Sequence, residues 1–351
     1  MTRKRHVAVL QLLILCCVAV LTSCGPRNNQ ADNGGGIRVA LITPGSIADA
    51  AWNAGAYTGL MQVRDSLGLP VSHIEARTPA EQEEALRTYA AQGYRVIYGH
   101  GFEFQDAAER VATDYPDAVF VITSGQRVSG NVVPLVFRFG EATYLAGMVA
   151  GSLTRSGRVG FIGGIELPPV RLGQDAWERG ARSANPRVQT RSTYLNNFDD
   201  AVAGREAALA MIRLGVDMLH HNADQAGLGV FQASRESPGV YLFGANADQS
   251  ALAPDRVLGS AVIDVPRAIL MVAREVLAGR FTPRVESFGL ESGVVRYVGN
   301  PALDSMLTPA LRARLDAARD SIVAGTLRVS ELDSGQELPA SSPRSPAPSP
   351  G

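Results

Sequence analysis

Ile37-Arg-Val-Ala-Leu-Ile42 opens a stretch, running to Thr123, in which β-rich and helical segments alternate with short links. The first run stops at Pro44-Gly45. Residues 50–67 have helical periodicity and end at Gly68-Leu69-Pro70. Val71–Glu75 reads as a strand, residues 79–92 as a helix, and residues 95–98 as a strand closed by Gly99-His100-Gly101. Residues 104–115 read as a helix closed by Pro116, and residues 118–123 as a strand. The order βαβαβαβ with short links predicts an α/β fold with a parallel, doubly wound sheet.

Working outward from this stretch, the pattern repeats. Residues 141–153 read as a helix, 158–162 as a strand followed by Gly163-Gly164, and 172–183 as a helix. Then come a strand over 189–194, a helix over 201–214, a strand over 218–221, a helix over 229–236, a strand over 240–244 and a helix over 266–279. Two successive α/β units of about a hundred residues each are the expected make-up of a two-lobed protein with a cleft between the lobes. The loops at the C-terminal ends of strands should face that cleft. They are residues 43–53, 99–104, 163–169, 222–228 and 245–250.

The whole chain has 351 residues, 46% of them hydrophobic and 19% charged. That composition excludes a wholly disordered chain, a collagen and a polytopic membrane protein. A net charge of −1 offers no basic excess for nucleic acid. Residues 1–23 hold Arg3, Lys4 and Arg5 and no acid, so without them the net charge falls to −4. Lys4 is the only lysine; the basic charge is otherwise arginine. The same segment reads as an export signal. A basic start precedes an apolar run from Val7 to Leu21, shorter than the roughly 20 residues a spanning helix needs. It ends in Leu21-Thr22-Ser23-Cys24, which resembles the lipobox of bacterial lipoproteins, with the Cys24 thiol as the atom that takes the lipid (palmitate among the acyl groups). Cys16 and Cys17 lie in the segment to be removed, so the processed chain keeps a single cysteine and no internal disulfide is available. Residues 24–36 read as a flexible tether and 334–351, rich in Pro and Ser, as a disordered tail.

At the cleft loops the sequence resembles the basic membrane protein (BMP) family over about residues 37–332. The resemblance is carried by Ile47-Ala-Asp-Ala-Ala-Trp-Asn53, Gly101-Phe102, Phe137-Arg138 with Glu141-Ala-Thr-Tyr-Leu-Ala-Gly147, Val159-Gly-Phe-Ile-Gly-Gly164, Gly227-Leu-Gly-Val-Phe231 and Asp248-Gln249. The resemblance implies the two-lobed type I periplasmic-binding-protein fold. It also implies the role of a lipid-anchored solute-binding component of an ABC transporter, capturing a nucleoside by stacking and hinge closure. The implied partners are a small-molecule ligand, a permease, separate ATPase subunits and the lipid bilayer; no cofactor and no metal are implied. Members stack a purine between two rings. Trp52 takes the position of the first and Phe231 that of the second, with Gly227 and Gly229 allowing close backbone approach. Three positions depart from the family. Pro44 stands where an acidic residue is usual, Asn246 where an Asp grips ribose, and Ile263 where a Lys faces the ligand. Loss of the Lys and the Asp together would leave the site neutral, or it marks a different ligand. In such folds the helix at 266–279 returns to the first lobe and the last strand to the second. The expected division is lobe 1 at 37–138 with 260–284 and lobe 2 at 139–259 with 285–333, hinged near 136–141, 258–265 and 282–287.

The candidate ligand-binding set is Asp49, Trp52, Asn53, Gly101, Phe102, Asn222, Asp224, Gly227, Phe231, Asn246 and Asp248. A planar uncharged ligand needs stacking faces and directional hydrogen bonds, and amides both donate and accept. Each residue has an ordinary alternative: Trp52 and Phe231 as core, Asn222 and Asn246 as turn residues, Asp248 as a cap. Arg138 and Glu141 are a candidate hinge ion pair. His220-His221 is a poor metal pair, since neighbours on a strand point to opposite faces. No P-loop, G-x-S-x-G elbow or dinucleotide fingerprint appears. The competing functions are a sensory or adhesion lipoprotein of the same fold, a receptor for a different small polar ligand, and an exported enzyme such as a nucleoside hydrolase.

Overall fold

A computed structural model describes residues 36–49 and 51–329. The expected signal segment, the lipidation residue Cys24, nearly all of the tether and the tail lie outside the described residues.

The first sheet has the order β11-β5-β4-β3-β1-β2 and is parallel throughout. Its strands are β1 (Val39–Thr43), β2 (Val71–Glu75), β3 (Val96–His100), β4 (Val119–Thr123), β5 (Val132–Phe137) and β11 (Glu286–Phe288). The second sheet has the order β12-β10-β9-β8-β6-β7, parallel except for β12 against β10. Its strands are β6 (Arg158–Gly163), β7 (Gln189–Tyr194), β8 (Met218–Asn222), β9 (Tyr241–Asn246), β10 (Val257–Ile263) and β12 (Val295–Gly299). Central strands such as β1, β3 and β10 are buried at every residue, as expected where helices cover both faces of a parallel sheet. The edge strand β7, with sequence QTRSTY, is polar and partly exposed.

The first sheet is covered by α1 (Trp52–Leu67) and α8 (Val265–Leu277) on one face and by α2 (Pro79–Ala91) and α3 (Gln105–Ala112) on the other. The second is covered by α4 (Gly140–Leu153), α5 (Pro168–Ala184) and α9 (Pro309–Val323) on one face. Its other face takes α6 (Ala201–Arg213) and α7 (Gly227–Glu236). Local chemistry sets the ends. Gly68 closes α1 in the left-handed conformation at φ 66°. Thr78 and Glu81 form a reciprocal capping box on α2, whose first residue is Pro79. Asp200, Asp264 and Thr308 cap α6, α8 and α9. Helix α4 is buried from Gly140 to Gly151. It lies so close to α5 that a Cβ on Gly147 would stand 2.2 Å from the Trp177 carbonyl oxygen, and one on Gly180 2.0 Å from that of Tyr144.

The chain passes between the lobes three times, and the crossings lie side by side. The first, between β5 and α4, falls inside the expected 136–141 segment. The second falls inside the expected 258–265 segment but later than the expected 259/260 lobe boundary, and the third lies just beyond the expected 282–287 segment. All of Val257–Ile263 is in the second sheet, so the chain leaves that lobe after Ile263 rather than at 259/260. Glu286–Phe288 pairs with β5, so the third crossing follows Phe288 rather than preceding residue 285. Both shifts have one cause: a strand ladder holds its residues to the end, and the bend falls at the first unpaired residue beyond it. The crossings are tied together. The Arg138 amide donates to the Phe288 carbonyl at 2.8 Å and the Asp264 amide to that of Val294 at 2.7 Å. The Arg138 guanidinium reaches Glu141 at 2.6 Å and Ser287 Oγ at 2.8 Å and also pairs with Glu291, while Glu141 accepts from the Leu290 amide at 2.6 Å.

Candidate functional site

Two adjoining cavities open where the C-terminal ends of the two sheets face each other, spanning about 600 and about 900 Å³ including the space open to solvent. The first is lined by aromatic and apolar side chains with a few polar groups; the second, sharing Pro44, Glu103, Leu167, Phe198 and Asp224 with it, is mostly polar.

Trp52 is the first residue of α1 and lines the first cavity. Its ring is stacked on His100 at 4.1 Å between centroids, inclined by 25°, and meets Phe137 edge-on at 6.2 Å. His100 is fixed in turn: Nε2 lies 3.0 Å from the Trp52 carbonyl and Nδ1 2.9 Å from Thr123 Oγ1. Burial holds the His100 imidazole neutral, with its pKa pushed down to about 3. One face of the indole thus has a rigid backing.

Gly101 and Phe102 also line this cavity, in the turn after β3. Asn222, Asp224 and Asn246 line it from the second lobe, at the ends of β8 and β9. The Asn246 amide donates to Asp224 Oδ1 at 3.3 Å and to Asn222 Oδ1 at 3.4 Å. Asp49 and Asn53 line the second cavity. The Asp49 carboxylate accepts three backbone N–H groups at the start of α1, from Ala51, Asn53 and Ala54, at 2.7–3.1 Å. Asn53 is 4% exposed, and its Oδ1 has no hydrogen-bond partner.

Three expected site residues lie elsewhere. Phe231 is 1% exposed and meets His221 edge-on at 5.2 Å, inside the core between β8, β9, α6 and α7. The helix that carries it must pack there, and packing decided its direction. Gly227 and Gly229 serve the same packing: a Cβ on the first would stand 2.3 Å from His221 Nδ1, and one on the second 1.8 Å from the Ala201 carbonyl oxygen. Asp248 is exposed and bonds the amide and hydroxyl of Ser250 at 3.0 and 2.6 Å, the ordinary capping role. Its neighbour Gln249 is buried and ties His221 and the Ala245 amide, both at 2.9 Å.

The aromatic ring that the second lobe does bring to the cavities is Phe198, in the loop between β7 and α6. Gly164 makes room for it, since a Cβ there would stand 2.1 Å from Phe198 Cδ1. Glu103, Ser124, Phe137 and Phe139 were likewise not anticipated. An aromatic residue amid Asn and Asp in a loop at the C-terminal end of a strand was the available signal for Phe198. The loop was passed over because β7 is an edge strand with a weak apolar pattern.

Backbone strain is concentrated here. Among the described residues, the non-glycine positions with positive φ are Ser124, Asn196, Asp224 and Asn246, and every one lines a cavity. Such conformations persist where the surroundings impose them, and they cluster at binding sites.

Pro44, Asn246 and Ile263 all line the first cavity, as do Glu103 and Asp224, while among the described residues no Lys or Arg does. Burial pushes the Glu103 carboxyl up to about 7. Asp224 is pushed well above the usual range, first by burial and then by the charges of Asp49 and Glu103. In the second cavity Arg77 reaches across the cleft to Asp199 at 3.0 Å and also pairs with Glu75 at 2.5 Å. His220 and His221 bond Phe243 O and Gln249 in different layers of the core. Among the described residues no group of three or more His, Cys, Asp or Glu could hold a metal ion.

Comparison with known proteins accords with this architecture. The profile of the family described as "ABC transporter substrate-binding protein PnrA-like" matches residues 37–333. Basic membrane protein A of Borreliella burgdorferi is 30% identical over 319 residues, covering 89% of this chain and 92% of that protein. The CD4+ T-cell-stimulating antigen of Listeria innocua is 27% identical, covering 94% and 99%. Among solved structures, an ABC transporter solute-binding protein from Aeropyrum pernix superimposes with a TM-score of 0.78 at 21% identity, covering 83% of this chain and 92% of that one. Another from Conexibacter woesei gives 0.65 at 29% identity, covering 83% and 98%. The family and these folds are of solute-binding proteins, not enzymes, which sets the exported hydrolase aside. With residues 37–333 matched, two mostly parallel sheets in place and a cavity between them, the chain belongs to the Bmp family of PnrA-like ABC transporter substrate-binding proteins.

Proposed function

We propose that this protein is the membrane-anchored receptor of an ABC importer and that its ligand is a purine nucleoside. The observation that carries the reading is the pair of rings, Trp52 and Phe198, that the two lobes bring to one cavity fringed by amides. A planar base between such faces gains on the order of 1–3 kcal/mol per stacked ring. Asn222 and Asn246 would read the base edge, with Gly101 and Phe102 shaping the same wall. Asp224, Asn53 and Asp49 would meet the sugar, Asp49 chiefly by holding the start of α1. Ligand would enter the open cleft, the three crossings would bend, and the contact between Arg77 and Asp199 would form as the lobes close. The closed form would dock on a permease served by a separate ATPase. Lipid on Cys24 would keep the receptor at the outer face of the membrane.

Thermal unfolding of the purified protein with adenosine, guanosine, inosine, pyrimidine nucleosides, free bases and sugars tests this. Ligand at a hundred times Kd should add about 2.7 kcal/mol. A rise with purine nucleosides that Trp52→Ala removes is the expected result. A rise with sugars alone would favour a receptor for a different small polar ligand, a reading supported by Pro44, Asn246 and Ile263 facing the cavity.

A further inference from the structure

We infer that the ligand of this cleft carries a positive charge: a purine nucleoside protonated or alkylated on its base binds in preference to its neutral counterpart. This rests on the nucleoside reading above and adds the charge class of the ligand.

Among the described residues, the charged side chains lining the first cavity are Glu103, from the turn after β3, and Asp224, from the turn after β8, with no cation beside them. The cation that the described residues bring to the adjoining cavity is Arg77, already engaged by Glu75 and Asp199. Asp49 also borders that cavity, with its oxygens occupied by three backbone amides. Two carboxyl groups from opposite lobes therefore face the ligand without a counter-charge, Asp224 holding only the Asn246 amide. A second, independent observation points the same way. Asn53 is 96% buried in the cavity that Asp224 and Glu103 also line, and its unpartnered atom is the acceptor oxygen. Among the described residues lining that cavity the unpartnered buried atoms, Asn53 Oδ1 and Gln82 Oε1, are both acceptors, which suits a ligand that supplies donors. The faces of Trp52 and Phe198 suit the same charge, because an aromatic quadrupole attracts a cation.

Burial raises both carboxyls, and the charges of Asp49 and Glu103 raise Asp224 further by repulsion. An incoming cation favours their ionised forms, so its binding releases protons. Its affinity then rises with pH toward and through neutrality. A neutral ligand that takes a hydrogen bond from a protonated carboxyl shows the opposite slope.

The test is titration calorimetry of the full protein with 1-methyladenosine, a cation near neutrality, and its isomer N6-methyladenosine, which is neutral there. The inference predicts that the cation binds about ten-fold tighter, ~1.4 kcal/mol, and that its affinity rises between about pH 6 and about pH 7.5. Asp224→Asn and Glu103→Gln should each shrink the preference for the cation over its neutral isomer, and thermal unfolding of each variant shows it to be folded. If the neutral isomer binds as tightly as the cation, the charge inference is overturned and the nucleoside reading stands. If neither these nor the unmodified nucleosides bind, both fall together.

Discussion

Trp52, Phe198 and Phe231 separate two kinds of aromatic residue that a sequence presents alike. Trp52 and Phe198 border the cavity, and removing either ring should weaken nucleoside binding by about 1–3 kcal/mol, or roughly ten- to a hundred-fold, with little change in melting temperature. Phe231 is sealed between β8, β9, α6 and α7. Phe231→Ala should cost about 3–5 kcal/mol of stability, seen as a fall in melting temperature rather than as a loss of stacking. Calorimetry and thermal unfolding on the three variants measure both. Glu103 adds a pH dependence. Its carboxyl titrates near 7 in the folded chain and near 4.3 in an unfolded one. A raised acid resists ionisation in the native state, so its cost is absent below about pH 4 and grows until about pH 7, reaching at most about 4 kcal/mol. Glu103→Gln should therefore be more stable than the parent at pH 8 and equal to it near pH 4, as thermal unfolding at the two values will show.

Among the elements, α4 and α5 meet through Gly147, Gly151 and Gly180, where a side chain has no room. Gly180→Ala would drive a methyl group into the Tyr144 carbonyl and should cost about 1–3 kcal/mol in urea unfolding. The side-by-side crossings make a second prediction. The side chain of Glu141 is 5% exposed and joins the first crossing to the third through Arg138 and the Leu290 amide. Glu141→Ala leaves the Leu290 amide unmatched and Arg138 with Ser287 and Glu291 alone, and should cost about 1–3 kcal/mol. Most of these elements were legible. The 71–75 and 189–194 strands coincide with β2 and β7, and the alternation of segments gave the parallel sheets. What escaped is informative. Strands β5, β10, β11 and β12 and helix α9 were not read as elements. Pro134 interrupts β5, β10 abuts the Ala253-Pro254 turn, and β11 has only three residues. Gly101, Asn222 and Asn246, at the ends of strongly apolar strands, line the cavity where strand position put them. Phe231 was misplaced because a motif fixes a residue's place in the chain and not the face of the helix it occupies. Asp248 was misplaced because a cap and a ligand-gripping carboxylate look alike in sequence.

At the scale of the molecule, two sheets of matching order put the C-terminal ends of eleven parallel strands around one cleft, and three adjacent crossings form the hinge that lets the lobes close on it. The strain at Ser124, Asn196, Asp224 and Asn246 gathers in that cleft. The Arg77–Asp199 pair spans it from one lobe to the other, but both side chains are about half exposed. Such a pair contributes at most about 1 kcal/mol, so closure must draw on the ligand itself. The most direct test of the account is calorimetric titration of the protein and its Trp52→Ala and Phe198→Ala variants with a panel of purine nucleosides. The account predicts saturable one-to-one binding to the parent, weakened at least about ten-fold by loss of either ring. Absence of binding to every purine nucleoside, or binding that survives both substitutions undiminished, would contradict it.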